Sequence, residues 1–260
     1  MAETIRIEAD DRGIATLSLA RPQKHNAMSA QMIGELAEAA KALAGDASVR
    51  VIVLTGDGPT FCAGGDLGWM KDQMAADAQT RRDGATTLAN MLRSWNEMPK
   101  PVIARLQGNA FGGGLGLASV ADVAIAVDSA QFGLTETRLG LIPATIGPYV
   151  VARMGEARAR RVFFSSRRFD AVEATALGLI ARAVPAADLD GAVEAEVAPY
   201  QACAPGAIAA AKALTRRLGP RIDDAVIADS IDALIAQWEG DEAAEGIVAF
   251  YEKRPPTWAN

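Results

Sequence analysis

The stretch Gly108-Asn109-Ala110-Phe111-Gly112-Gly113-Gly114-Leu115-Gly116 decides the reading of this chain. It follows the apolar run Val102–Leu106 and opens a small-residue segment whose spacing predicts a helix up to about Ala121. A second glycine-bearing stretch, Phe61-Cys62-Ala63-Gly64-Gly65-Asp66-Leu67, follows another apolar run, Val49–Leu54. Continuous apolar runs are what strands buried on both faces require. Helical segments alternate with them, so the predicted fold class is α/β. In open α/β sheets, ligands bind at loops beyond the carboxyl ends of strands. Glycine lets a backbone N–H approach a ligand with no side chain in the way. One such N–H from each loop, converging on one oxygen, makes an oxyanion hole, in which removal of a single donor costs about 3 kcal/mol of transition-state stabilisation. Glycine runs also serve tight turns and close helix packing, and glycine content alone does not choose between these uses.

Outward from these loops, Ile5–Ile7 and Ile14–Leu19 read as strands around the polar turn Asp10–Gly13. Ser29 is placed to cap a helix carrying Met32, Ile33, Leu36, Ala40 and Leu43. Residues from about Lys71 to Glu97 read as helical with polar gaps, and Pro99-Lys100-Pro101 is a clear break. Val123–Val127 is a further strand. Past Pro185 the strand signal fades, and residues 188–252 are alanine-rich with helical spacing.

Composition narrows the chemistry. Half of the 260 residues are hydrophobic and 22% are charged, as expected of a chain that buries a full core. No stretch approaches a membrane span, the first residues lack a signal-peptide pattern, and a cytoplasmic location is expected. Cys62 and Cys203 are read as reduced thiols. The formal net charge is −6, with no basic stripe, so no nucleic-acid partner is expected. His25 is the only histidine, which rules out a zincin pair, and no metal site is expected. A Ser-His-Asp triad would have to use His25, and neither a G-x-S-x-G elbow nor a P-loop is present. The glycine run is a poor dinucleotide fingerprint, because Leu117 stands where the third glycine belongs. Acid–base work falls mainly to carboxylates.

Four linked segments carry a specific resemblance: Arg21-Pro22-Gln23-Lys24-His25-Asn26-Ala27-Met28, Phe61–Leu67, Ala110–Gly114 and Gln131-Phe132-Gly133-Leu134-Thr135-Glu136. In order and spacing they resemble the crotonase (enoyl-CoA hydratase/isomerase) superfamily. The resemblance implies a spiral of repeated ββα units over about residues 1–195, holding the active site. It also implies a helical region over 196–260 that mediates homotrimers, often paired into hexamers. Carried over, the N–H groups of Gly65 and Gly113 are the oxyanion pair. Ala63, Gly65, Asp66, Leu67 and Gly68 line the CoA path, and Lys24 approaches its phosphates. His25 matches a non-catalytic position. CoA arrives as part of the substrate and no separate cofactor is implied.

Hydratases of this family flank the double bond with two glutamates. One matches Glu136; the other position holds Gly116. Read without the resemblance, Glu136 is more simply an acidic residue favoured at a helix start, and the family match reverses that reading. The run Phe111-Gly112-Gly113-Gly114-Leu115-Gly116-Leu117 and the segment Leu139–Val151 are similar to methylglutaconyl-CoA and carboxygeranoyl-CoA hydratases. The expected activity is hydration of a branched or carboxylated 2-enoyl-CoA. The alternatives are a Δ3–Δ2 enoyl-CoA isomerase using Glu136 alone, or a non-catalytic acyl-CoA-binding relative. On this reading the space at Gly116 admits the acyl branch, and Arg138 is a candidate counter-ion for a substrate carboxylate. Trp69, Met70 and Met74 are candidate tunnel residues. Some of Trp238, Phe250, Tyr251 and Trp258 are expected between subunits.

Overall fold

Apolar strands set the frame of the structure, a computed structural model that describes residues 2–259. The strands are β1 (Ile5–Ala9), β2 (Ile14–Leu19), β3 (Val51–Gly56), β4 (Thr60–Cys62), β5 (Val102–Leu106), β6 (Asn109–Phe111), β7 (Val123–Val127), β8 (Gln131–Gly133), β9 (Phe169–Asp170) and β10 (Arg182–Val184). The helices are α1 (Ala30–Gly45), α2 (Leu67–Ala75), α3 (Ala78–Asn96), α4 (Gly113–Val120), α5 (Gly147–Met154), α6 (Glu156–Phe163), α7 (Ala171–Ala176), α8 (Leu189–Val197), α9 (Pro205–Leu218), α10 (Asp224–Trp238) and α11 (Asp241–Glu252).

One sheet has the order β1-β2-β3-β5-β7-β10; a smaller one has the order β4-β6-β8-β9. β1 meets β2 antiparallel, and β2 through β10 run parallel in the large sheet. Three times the chain lays a strand in the large sheet, then a short strand in the small one, then a helical segment: β3–β4, β5–β6 and β7–β8. This is the expected ββα spiral. Every residue of β3 is buried, which explains its unbroken apolar run. Trp95 anchors α3 on α1 by donating its indole N–H to the Leu36 carbonyl at 3.2 Å.

The helical region expected over about 71–97 is divided into two helices. It starts earlier, at Leu67, and breaks at Ala76–Asp77, where the Asp77 carboxylate accepts the Thr80 N–H at 2.8 Å and begins α3. The C-terminal helices fold back on the chain. Ile227, Ile231 and Ile235 of α10 pack on Ala85 and Ala89 of α3. Helix α11 lies against the 3₁₀ turn Glu136–Leu139, and glycine permits the approach: a Cβ on Gly246 would stand 2.5 Å from the Leu139 carbonyl carbon. Tyr251 of α11 donates its hydroxyl to the Leu67 carbonyl at 2.6 Å.

Candidate active site

The two glycine loops are held side by side by backbone hydrogen bonds. Met28 N–H donates to Gly64 O at 2.8 Å, and Asp66 N–H donates to Met28 O at 2.9 Å. Met28 and Gly65 therefore form a parallel bridge, in which the intervening Gly65 N–H is directed away from that pair. It has no acceptor among the described residues. Gly113 is the first residue of α4, so its N–H is one of the helix's free donors. Gly64 (φ +96°) and Gly112 (φ +47°) take backbone conformations that side chains disfavour. Gly114 allows the loops to touch, since a Cβ there would lie 2.6 Å from Cys62 O.

Gly65 and Gly113 line one cavity of about 820 Å³, counting its open mouth, and Glu136 lines it with them. The rest of its wall is largely apolar and includes Met28, Trp69, Leu88, Ile142 and Ile146. The thioether end of Met28 lies against Gly113, where any Cβ would overlap Met28 Cε. Met28 thus forms the cavity wall beside Gly113.

Strand β8 delivers Glu136, which opens the 3₁₀ turn. Its Oε1 lies against Gly112, 3.0 Å from where a Cβ would be, so glycine there supplies room as well as the left-handed turn. Its Oε2 is shut off from solvent and has no hydrogen-bond partner. Burial pushes the carboxyl pKa up to about 7, against the opposing pull of the Glu136 and Thr135 N–H groups. A carboxyl poised near neutrality can both take and give a proton. Two uncommitted N–H donors and one such carboxyl around an apolar cavity can stabilise an oxyanion while a proton moves at a neighbouring carbon.

Position 116 corrects the sequence reading. Gly116 is buried in α4, and no open space adjoins its Cα: a Cβ there would meet Ile146 Cγ2 at 2.6 Å and Ile146 Cβ at 3.1 Å. Ile146, which itself lines the cavity, fills the volume that a side chain from 116 would need. Gly116 therefore does not admit an acyl branch.

Arg138 is exposed and lines a separate groove with Phe164, Ser166 and Arg254, so it does not face Glu136's cavity. It fails as a counter-ion because successive residues of the turn point to different sides. Trp69 and Met70 line the cavity as expected, whereas Met74 packs with Leu141 and Ile247. Trp238, one of the four C-terminal aromatics of which some are expected between subunits, lines the cavity together with Leu234. The cavity thus draws on residues beyond 195. Arg81 and Ile146 also line it, and sequence reasoning passed over both.

Around the loops, Lys24, Ala63, Leu67 and Gly68 are exposed. The Asp66 side chain is committed: it accepts from Gly68 N–H at 2.8 Å, capping α2, and pairs with Arg21 at 2.9 Å. His25 is exposed, in a left-handed turn, with Nδ1 3.1 Å from Thr60 Oγ1. Asn26 next to it is fully buried, receives the Arg21 N–H and donates to Asp57 O and Thr60 O, fixing the loop. Among the described residues no group of three or more His, Cys, Asp or Glu is placed to hold a metal ion. No helix there is long and apolar enough to cross a membrane.

Comparison with known proteins agrees with this architecture. The family model described as Enoyl-CoA hydratase/isomerase matches residues 9–260. The chain is 34% identical to the Mycobacterium tuberculosis protein named "Probable enoyl-CoA hydratase echA8", covering 99% of this chain and 98% of that one. It is 31% identical to the mitochondrial methylglutaconyl-CoA hydratase of Mus musculus, over 97% of this chain and 81% of the relative. The solved structure of Pseudomonas aeruginosa AtuE is 40% identical, with a TM-score of 0.81 over 99% of this chain and 100% of that one. The chain belongs to the enoyl-CoA hydratase/isomerase (crotonase) family.

Proposed function

We propose that this protein is an enzyme that hydrates a 2-enoyl-CoA thioester. The observation that carries the reading is the convergence of the free Gly65 and Gly113 N–H groups with the buried Glu136 carboxyl on one cavity. The two N–H groups take the thioester oxygen. Ionised Glu136 removes a proton from water as the water oxygen bonds to C3. The C2–C3 π electrons move toward C1, and the carbonyl electrons onto the thioester oxygen. Glu136 then returns its proton to C2 as the enolate collapses. One carboxyl serves both transfers, so the second glutamate of two-carboxylate hydratases is not required. Exposed Lys24, Ala63, Leu67 and Gly68 belong to the segments that are joined by backbone bonds around Gly65, or follow them directly, and are proposed for the CoA path, with the Asp66 side chain shaping α2. CoA comes with the substrate, and we assign no separate cofactor.

A branched or carboxylated acyl group is the proposed substrate, in line with the similarity to the mouse methylglutaconyl-CoA hydratase. A cytoplasmic homotrimer, or dimer of trimers, is the proposed form. Leu218 at 78% exposure and Phe250 at 47% on the C-terminal helices support further burial between copies. The single carboxyl favours one second reading, Δ3–Δ2 isomerisation, in which Glu136 moves a proton between C4 and C2. Ile146 supports it by excluding a second carboxylate from position 116. Absorbance of the conjugated thioester separates the two. Falling absorbance with crotonyl-CoA or 3-methylglutaconyl-CoA establishes hydration. Rising absorbance with a 3-enoyl-CoA, and no loss with the others, establishes isomerisation and overturns the hydratase reading.

A further inference from the structure

Among the described residues that line the cavity, Arg81 is the only cation and Glu136 the only carboxylate. Arg81 shares a face of α3 with Ala85 and Leu88, at four- and seven-residue spacing, and all three face the cavity. Its Nε donates to Gln73 O at 2.8 Å and its Nη2 to Met74 O at 3.1 Å. Its guanidinium carbon stands 5.2 Å from the centre of the Trp238 ring. These contacts fix the guanidinium plane and occupy two of its five N–H donors.

Arg81 differs from the other arginines of its helix. Arg82 pairs with Asp232, and Arg93 with Glu97 and Asp224. Among the described residues Arg81 forms no ion pair. Asp77, one turn before it, accepts the Thr80 N–H and feels the Arg81 charge without standing at ion-pair distance from it. The Gln73 side chain also lines the cavity, lies beside Gly84 on α3, and makes no hydrogen bond among the described residues. Capping the α2 carbonyls accounts for Nε and Nη2 but leaves Nη1 free in a wall that otherwise includes Ala85, Leu88, Leu234 and Trp238. A half-buried charge beside apolar side chains is costly unless an anion meets it. A planar guanidinium with donors to spare is suited to a carboxylate.

Gln73 is eight residues past Gly65, mostly along α2, which at about 1.5 Å per residue puts Arg81's anchor roughly 10 Å from the oxyanion loop. An acyl chain of several carbons spans that separation. We propose that Arg81, assisted by Gln73, receives a carboxylate at the far end of the acyl chain, so that the cavity selects ω-carboxylated over uncharged acyl thioesters. The inference rests on the acyl-CoA reading for the thioester end, and it replaces Arg138 as the counter-ion.

The test uses saturated acyl-CoAs, which have no double bond to hydrate, in pairs of equal length: succinyl and butyryl, glutaryl and valeryl, adipyl and hexanoyl. Calorimetric dissociation constants are measured for the unmodified protein, Arg81→Lys and Arg81→Met. At least one carboxylated member binds more tightly than its uncharged partner to the unmodified protein. Arg81→Met weakens that member by about 10-fold or more and the uncharged partner by less than about 3-fold. Arg81→Lys keeps part of the preference. Where Arg81→Met does not fold, Arg81→Gln tests the same ratio while keeping a donor for the α2 carbonyls. Absence of a carboxylate preference in every pair overturns the proposal, as does equal weakening of both members, which would leave Arg81 a helix cap only. Binding of these thioesters without turnover of any enoyl-CoA would sink the hydratase reading and leave this inference standing. If none of them binds, the acyl-CoA reading itself fails.

Discussion

Gly116 and Ile146 form a complementary pair, and their coupling is measurable. In Gly116→Ala the new methyl would stand 2.6 Å from Ile146 Cγ2 and 3.1 Å from Ile146 Cβ, against the roughly 3.5–4.0 Å of an unstrained carbon contact. Overpacking of this kind costs about 1–3 kcal/mol, and replacing glycine inside a helix returns up to about 1 kcal/mol. Ile146→Ala alone opens a void and costs about 2–5 kcal/mol. It also removes the 2.6 Å overlap, so Gly116→Ala/Ile146→Ala is less damaging than the sum of its parts by about 1–3 kcal/mol. Urea unfolding of the four proteins gives the coupling. Additivity within about 0.5 kcal/mol would refute the claim that Ile146 fills this space. The chemical counterpart is Gly116→Glu, which gains no crotonyl-CoA hydration while Ile146 is present. Gly116→Glu/Ile146→Gly makes room for a second carboxylate and gains it. A gain in Gly116→Glu alone would show that Ile146 gives way.

Four more predictions rest on named contacts. Burial raises the Glu136 pKa to about 7, so kcat/KM rises with pH and levels above about 7, because the base form is ionised Glu136. A profile flat from pH 5 to 9 would contradict that role. The same shift bears on stability: between an unfolded value of 4.5 and about 7, the folded state holds a proton that the unfolded state has lost, so stability falls as pH rises through this window. The loss is on the order of 3 kcal/mol. Glu136→Gln removes it and melts higher than the unmodified protein at pH 8, but not at pH 4. Asp66→Ala removes the α2 cap and the Arg21 pair; it costs about 2–4 kcal/mol and raises KM more than it lowers kcat. Gly246→Ala forces α11 off Leu139 and shifts the Glu136 turn; kcat falls, whereas Gly206→Ala, at an open position, leaves it unchanged.

The sequence was most informative where one residue type answers one local demand. Ser29 capping Met32 N–H, the unbroken apolar β3 and the glycines at 64, 65, 112 and 113 were all readable. Strands β4, β6 and β8 were not, because three residues show no periodicity and each leads into a loop or turn segment. The meaning of Gly116 depends on Ile146, thirty residues away, whose side chain reaches it only through the packing of α5's start on α4. Arg138 looked like a counter-ion because it is near Glu136 in sequence; the turn carries it to the other side. Arg81 and Trp238 look like ordinary helix residues until α10 folds onto α3. Long-range packing, rather than local pattern, decides which side chains see the cavity.

The central claim is that Glu136 alone carries the proton while Gly65 and Gly113 hold the oxygen. The most direct measurement is single-turnover hydration by Glu136→Gln, with the affinity for a saturated acyl-CoA measured alongside. With Glu136 as the proton carrier, the variant hydrates at least about 1,000-fold more slowly than the unmodified protein, within the range of one general acid–base group, and its affinity changes by less than about 3-fold. Hydration within about 10-fold of the unmodified rate would contradict the account and assign the proton to another group.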